Sequence, residues 1–287
     1  MMGLTAEQRQ AFDDQGYLLV PGVLDEQELA PLRPVIAGAV DQRARQLHDE
    51  GKIPELYEDA PFHQRLVKIL GPGRSSNWNP QVFGREVYEL LTRAKILDIV
   101  ESLIGPEITA NGDYWVRFKM PGGKRSIFPW HQDSGYYDSS IDPDQPVTPT
   151  AEIPILTVWI PLVNVDQQNG PLQMVSGSHK HGLRPARRNQ EGRLVPCEDV
   201  EQLGTIETLC MRVGDVVVFG NLTFHRSIEN NSDGIRWSID LRYSPTGSPL
   251  EWLLKKWPGF VARSRKHPET VGSWEAWQND RLSAGIT

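Results

Sequence analysis

Ile235-Arg236-Trp237-Ser238-Ile239-Asp240-Leu241-Arg242-Tyr243 is the stretch whose reading decides the fold. Apolar and polar residues alternate along it with a period of two, the pattern of a β-strand whose faces meet different surroundings. Further runs of strand character precede it: Tyr114 to Lys119, Ile155 to Ile160, Leu172 to Val175 and Val216 to Phe219. Turn residues separate these runs, and β-branched and aromatic side chains dominate them. Many short strands preceded by helices predict a mostly β chain with flanking helices. Its core is expected to be a double-stranded β-helix, the jelly-roll or cupin-like arrangement.

Upstream of these strands the periodicity is helical. Thr5 and Gln8 have capping-box spacing, and the helix they start should end near Gln15, before Gly16. Tyr17 to Val20 reads as a strand. Asp25 caps a second helix with Leu29, Leu32, Val35, Ile36, Ala39 and Val40 on one face; Pro31 and Pro34 move its effective start to about residue 34. Residues 50–84 are rich in Gly, Pro and Asn and are expected to be irregular. Arg85 to Leu103 forms a third helix, stopped by Gly105-Pro106. The whole of 1–287 then reads as one domain, with 1–107 as mainly helical support, 108–245 as the jelly roll and 246–287 as a C-terminal extension. That extension carries Trp252, Trp257, Trp274 and Trp277, which could cover a substrate mouth, meet another subunit or close the core.

Charge narrows the class of partner. The net charge of -7 speaks against a nucleic-acid partner. No run of 18 apolar residues occurs, so no membrane span is expected, and the first residues do not read as a secretory signal. Two cysteines, Cys197 and Cys210, make no disulfide framework, and a cytoplasmic location is expected. The expected partner is a small molecule; the oligomeric state is left open.

Pro129-Trp130-His131-Gln132-Asp133 carries the candidate chemistry. His131 and Asp133 are two residues apart, so on a strand both side chains point to one face. His225 is the best candidate for a second imidazole, 94 positions later, and only a sheet that joins distant strands could unite them. Two His and one carboxylate on one face of a metal, with other positions open, is the donor set of non-haem Fe(II) oxygenases. A dicarboxylate keto acid could chelate such a metal and would need a cation for its far carboxylate. Arg236, 11 positions after His225, offers a two-pronged guanidinium, and Ser238 and Ser227 offer hydroxyls near it. Two other classes are open on the residues alone. One is a zinc-dependent hydrolase or isomerase using the same three ligands, which gives Arg236 and Ser238 no task. The other is a non-catalytic jelly-roll binding protein, which needs no triad.

Taken in order, Trp130-His131-Gln132-Asp133, Trp159-Ile160-Pro161-Leu162, Asn169-Gly170-Pro171-Leu172, Val175-Ser176-Gly177-Ser178-His179-Lys180, Gly214-Asp215, His225-Arg226-Ser227 and Arg236-Trp237-Ser238 resemble the phytanoyl-CoA dioxygenase family of Fe(II)- and 2-oxoglutarate-dependent oxygenases. The resemblance covers roughly residues 108–245. It implies that His131, Asp133 and His225 bind iron, and that Arg236 holds the far carboxylate of 2-oxoglutarate. By position Trp159, Ser227 and Gln132 match residues near the co-substrate, and Trp115 and Arg117 share a facing toward that pocket. O2 is the implied oxidant and hydroxylation the implied outcome, since relatives that halogenate lack the carboxylate that Asp133 supplies here. A natural-product intermediate is the expected kind of substrate.

Ser134 to Ala151 is a long polar loop leaving directly from Asp133, expected to act as a mobile lid, with Tyr136 or Tyr137 as a substrate contact. His179 and His181 sit in a Gly-Ser-His-Lys-His turn and are expected to be structural. Lys255, Lys256, Arg263, Arg265 and Lys266 form a basic group that could meet nucleotide phosphates if the substrate were an acyl-CoA.

Overall fold

A computed structural model describes residues 3–71, 78, 80, 82–122, 127–137 and 153–286, residue 252 by its backbone alone. Thr5 and Gln8 complete the expected capping box of α1 (Ala6–Gln15), and Gly16, at φ 82°, closes it in the left-handed region that suits a residue without Cβ. β1 (Tyr17–Val20) follows. Asp25 does cap a helix, but α2 (Glu26–Leu29) is one turn long, and α3 (Leu32–Asp49) begins after Pro31. The start falls at residue 32 because Pro34 lies within the first turn, where its missing N–H has no partner to lose.

Two expectations are corrected here. The stretch 50–84 contains α4 (Phe62–Leu70), which buries Leu66, Ile69 and Leu70. Its amphipathic pattern was masked by the Gly and Pro on either side. The third helix is two helices, α5 (Arg85–Leu91) and α6 (Ala94–Ile104). At the break, Thr92 Oγ1 donates to the Tyr88 carbonyl at 2.9 Å, a local bond that competes with the helix ladder.

The strands are β2 (Ile108–Lys119), β3 (Phe128–His131), β4 (Leu156–Pro161), β5 (Leu172–Ser176), β6 (Ala186–Arg188), β7 (Leu194–Pro196), β8 (Thr205–Leu209), β9 (Val216–Gly220), β10 (His225–Ser227), β11 (Arg236–Pro245) and β12 (Phe260–Arg263). A one-turn helix, α7 (Ser134–Tyr137), follows β3, and α8 (Glu251–Lys256) and α9 (Trp274–Ser283) flank β12. One six-stranded sheet runs β1-β9-β4-β11-β2-β12, a four-stranded sheet runs β3-β10-β5-β8, and β6 and β7 make a hairpin. All pairings are antiparallel. The two sheets form the curled, cupin-like sandwich expected.

β11 lies between β4 and β2, and its two faces have different neighbours. Trp237, Ile239, Leu241 and Tyr243 join one apolar cluster with Ile36, Val40, Leu66, Leu91, Ile96 and Val100 of the helices. The helices therefore cover the outer face of the large sheet. Arg236, Ser238, Asp240 and Arg242 point the other way and are buried too. Between the sheets a second cluster holds Trp159, Leu172, Met174, Val217 and Phe219.

The C-terminal residues are part of this packing. β12 pairs with the outer edge of β2. Trp277 of α9 is 1% exposed and packs on Phe83, Tyr88, Tyr114 and Phe260. Among the described residues no helix is long and apolar enough to cross a membrane.

Candidate metal centre

His131 and His225 stand directly opposite each other on β3 and β10, with ring centroids 4.1 Å apart. Sheet pairing thus closes their separation in sequence. β3 ends at His131, so strand alternation does not place Asp133; the turn into α7 does. Asp133 Oδ1 lies 3.9 Å from His131 Nε2 and 3.8 Å from His225 Nε2. These distances are too long for hydrogen bonds. The three atoms instead surround one point, each within 4.8 Å of the others. Among the described residues this is the only such group of His, Cys, Asp or Glu.

The surroundings fix each donor. His131 Nδ1 bonds the Pro129 carbonyl at 2.8 Å, and His225 Nδ1 bonds the Thr223 carbonyl at 3.0 Å. A carbonyl only accepts, so each Nδ1 carries the proton and each Nε2 presents its lone pair inward. Burial, then the neighbouring His225, push His131 down to about 3, and burial also lowers His225. Both rings are neutral near pH 7. Burial pushes the Asp133 carboxyl up, but the Arg242 guanidinium and the Thr157 hydroxyl hold it below the usual range. Thr157 Oγ1 donates to Asp133 Oδ2 at 2.7 Å and Arg242 approaches the same oxygen at 3.5 Å, which leaves Oδ1 for the shared point. Two neutral imidazole nitrogens and one carboxylate oxygen fit a divalent metal with open positions.

A small chamber of about 60 Å³ lies at this point and includes Trp159, Ser227 and Arg236. Arg236 is 4% exposed, and its guanidinium lies over the Trp159 ring at 5.2 Å. Its Nη1 donates to Ser238 Oγ at 2.7 Å, and its Nε is buried with no hydrogen-bond partner among the described residues. Ser238 holds Arg236 from behind and is absent from the chamber wall, whereas Ser227 lines it. Gln132 departs from its expected place by the co-substrate. Its amide donates to the Gly182 and Leu222 carbonyls and accepts from the Arg184 amide, so it ties loops together outside the chamber.

A larger cavity of about 1050 Å³ opens over the triad. Trp115, Arg117, Tyr136 and Tyr137 line it, as does Trp257 from the C-terminal segment. Tyr136 stands edge-on to His131 at 5.4 Å and accepts from the Leu194 amide. Tyr137 donates to Asp113 at 3.0 Å. The expected lid begins as helix α7, and its residues 138–151 lie outside the described residues.

Arg242 and Lys119 were not singled out from the sequence, and Arg117, expected to face the pocket, has a partner that was not foreseen. Arg242 reaches Asp240 at 2.7 Å, Asp113 at 3.6 Å and Asp133 at 3.5 Å. Arg117 grips Asp240 through Nε and Nη2 at 2.6 and 3.2 Å. Lys119, 2% exposed, lies opposite Arg236 on β2 and donates to the Ser227 carbonyl at 3.3 Å. Burial, then Arg236, push the Lys119 amine down to about 6. A signal was present: Asp113, Trp115, Arg117 and Lys119 fall at period two, as do Arg236, Ser238, Asp240 and Arg242.

Other groups lie apart from the site. His179 Nε2 bonds the Asp13 carbonyl at 3.0 Å and docks the end of α1, the structural part expected. Arg263 pairs with Asp98 and Glu101, and Arg265 with Glu101, so these members of the basic group are neutralised at the surface.

The model of the phytanoyl-CoA dioxygenase family matches residues 12–238. The chain is 25% identical over 250 residues to peroxisomal phytanoyl-CoA dioxygenase of Homo sapiens, covering 84% of this chain and 68% of that one. It is 33% identical over 185 residues to the 1-deoxypentalenic acid 11-beta-hydroxylase of Streptomyces exfoliatus, covering 59% and 61%. Among solved structures it resembles EctD from S. alaskensis with 2-oxoglutarate and 5-hydroxyectoine, at TM-score 0.56 and 21% identity, covering 84% and 76%.

Proposed function

This chain belongs to the phytanoyl-CoA dioxygenase family, and from that premise we propose that it hydroxylates a small organic molecule with Fe(II), 2-oxoglutarate and O2. The overall conversion balances as R–H plus 2-oxoglutarate plus O2 giving R–OH, succinate and CO2. The observation that carries the reading is the pairing of a three-donor metal point with a buried guanidinium that has no carboxylate partner among the described residues. His131, Asp133 and His225 would hold the metal. When bound, Fe(II) with 2-oxoglutarate supplies the activation of O2 that no side chain can provide.

The chain's own residues bind, orient and exclude. Arg236 would receive the far carboxylate, held in place by Ser238 and by the Trp159 face, with Ser227 and the Lys119 amine beside it. Thr157 and Arg242 keep one oxygen of Asp133 occupied, so the carboxylate would offer a metal its other oxygen alone. Trp115, Tyr136 and Trp257 would wall the substrate side and keep water away. A natural-product intermediate is the proposed kind of substrate, in line with the acid named for the Streptomyces relative. Exposed, unpaired Cys197 and Cys210 are consistent with a cytoplasmic place.

Anaerobic Fe(II) and 2-oxoglutarate should together give a weak visible charge-transfer band, and neither should do so alone. Arg236→Lys keeps the charge but loses the two-pronged geometry, so the 2-oxoglutarate concentration needed for half of the band should rise roughly tenfold or more. A tightly bound Fe(II) that gives no band with the keto acid would end this reading.

A further inference from the structure

Asp113 is a buried carboxylate to which the metal point gives no task. It lies on β2 two residues before Trp115, and both line the cavity of about 1050 Å³. The residue is 4% exposed. Its Oδ2 accepts from the Tyr137 hydroxyl at 3.0 Å and has Arg242 Nε 3.6 Å away. Its Oδ1 is buried with no hydrogen-bond partner among the described residues. An acceptor in that state is costly, because burial takes it from water without giving it a donor in return.

The backbone that carries this carboxylate is held on both sides. Arg242 Nη1 donates to the Asp113 carbonyl at 2.8 Å, and Arg281 Nη1 donates to the Gly112 carbonyl at 2.9 Å. Gly112 also lies against the Trp257 and Pro258 carbonyls, which a Cβ there would overlap. That approach seats Trp257 next to the segment bearing Asp113. Leu253 packs with Tyr137 and Trp257, and Trp257 stands edge-on to Trp115 at 5.3 Å, so an apolar and aromatic wall adjoins the carboxylate. The charge of Asp113 is already answered by Arg242, while Arg117 grips Asp240. What Oδ1 lacks is a hydrogen and not a counter-ion.

Building on the Fe(II)/2-oxoglutarate reading of this site, we propose that the substrate carries a hydroxyl group that donates to Asp113 Oδ1. Trp115, Leu253 and Trp257 receive its hydrocarbon body. Asp113 is then a specificity-determining residue: it selects a ligand by its donor and takes no part in the metal point. An apolar wall with one fixed polar atom is the usual means by which a pocket orients a small molecule. A ligand of the same shape without the donor would leave Oδ1 unpaired, and this is what makes such a site discriminate.

The test uses the full chain under nitrogen, with Fe(II) and saturating 2-oxoglutarate. 2-Naphthylmethanol and cyclododecanol are titrated by calorimetry against their methyl ethers, which accept hydrogen bonds but cannot donate. Each alcohol should bind roughly tenfold or more tightly than its ether. In Asp113→Asn the Tyr137 hydroxyl keeps the amide carbonyl at the Oδ2 position and turns the NH2 toward the ligand. The ether can then accept, so the ratio should fall to about threefold or less. 2-Naphthylmethylamine, a cation, should bind no more tightly than the alcohol. Equal binding of alcohol and ether, no saturable binding of either alcohol, tighter binding of the amine, or an undiminished ratio in Asp113→Asn overturns the proposal. The ratio in the unsubstituted protein tests it without any variant. The charge-transfer band is recorded in the same samples. Its absence from the unsubstituted protein would sink the co-substrate reading, whereas its presence with no preference for the alcohols sinks only this one.

Discussion

At the scale of single residues, the site depends on what stands behind each donor. Asp133 can act as a one-oxygen ligand only because Thr157 and Arg242 occupy its other oxygen. Thr157→Val keeps the shape and removes the 2.7 Å bond. Metal affinity, measured by competition with a chelating dye under nitrogen, should fall by about 10- to 100-fold; an unchanged affinity would mean that Arg242 alone orients the carboxylate. Lys119 gives a pH-dependent signature. Its amine, pushed down to about 6 by burial and then by Arg236, is mostly neutral at pH 7.5. A carboxylate placed beside it favours the ammonium form and raises its pKa, so 2-oxoglutarate binding at pH 7.5 should take up a proton. Calorimetry in two buffers of different ionisation enthalpy reads this directly, and Lys119→Met should abolish most of the uptake. The same depression has a sign for stability. The unfolded chain protonates this amine at its ordinary 10.5 and the folded chain only near 6, so stability is lost as pH falls through that window. In Lys119→Met the melting temperature should therefore vary less with pH between about 10 and 6.

At the scale of elements, the site is a consequence of two strands with unlike faces. β11 turns Trp237, Ile239, Leu241 and Tyr243 to the helices and Arg236, Ser238, Asp240 and Arg242 to the second sheet. β2 sets Lys119, Arg117 and Trp115 opposite Arg236, Ser238 and Asp240. The approach of Lys119 to Ser227 needs space that only a glycine leaves. Gly170 adopts φ 83°, and a Cβ there would overlap the Lys119 side chain and press on the Ile228 carbonyl. Gly170→Ala should cost about 1–3 kcal/mol through backbone strain alone, before any displacement of Lys119. For a chain of this size that is a fall in melting temperature of several degrees. A variant as stable as the parent would show that the loop around residue 170 relaxes freely.

At the scale of the whole molecule, helices and C-terminal segment clamp the large sheet from outside while the small sheet sets His131 and His225 opposite each other. α9 does this with one side chain above the others. Trp277, 1% exposed, packs against five aromatic rings and donates its indole N–H to the Pro258 carbonyl at 2.7 Å. Pro258 follows Trp257, so this anchor also places a wall of the cavity. Trp277→Ala should cost about 3–5 kcal/mol in chemical denaturation, the range for emptying a large aromatic site. A loss below about 1 kcal/mol would mean that the C-terminal residues are not part of the cooperative core.

Local chemistry was legible in the residues themselves. Capping boxes at Thr5 and Asp25, the strand alternation of 235–243 and the donor types at His131, Asp133, His225 and Arg236 depend on near neighbours along the chain, and all were readable there. What depended on packing was not. The alternation in β11 could not say that its polar face is the buried interior, because burial of that face is decided by the second sheet and by β2. Gln132 and Ser238 have residue types suited to a ligand, yet the loops and the guanidinium they bond take them out of the cavity. Asp113, Asp240 and Arg242 read as ordinary strand charges until the fold brings them within ion-pair reach of one another around Asp133. Sequence spacing determined which atoms could bind a metal and a carboxylate. Only the tertiary structure decided which of them share a point, because a buried charge settles where its partners across the sheet are, and those partners come from strands far apart in the chain.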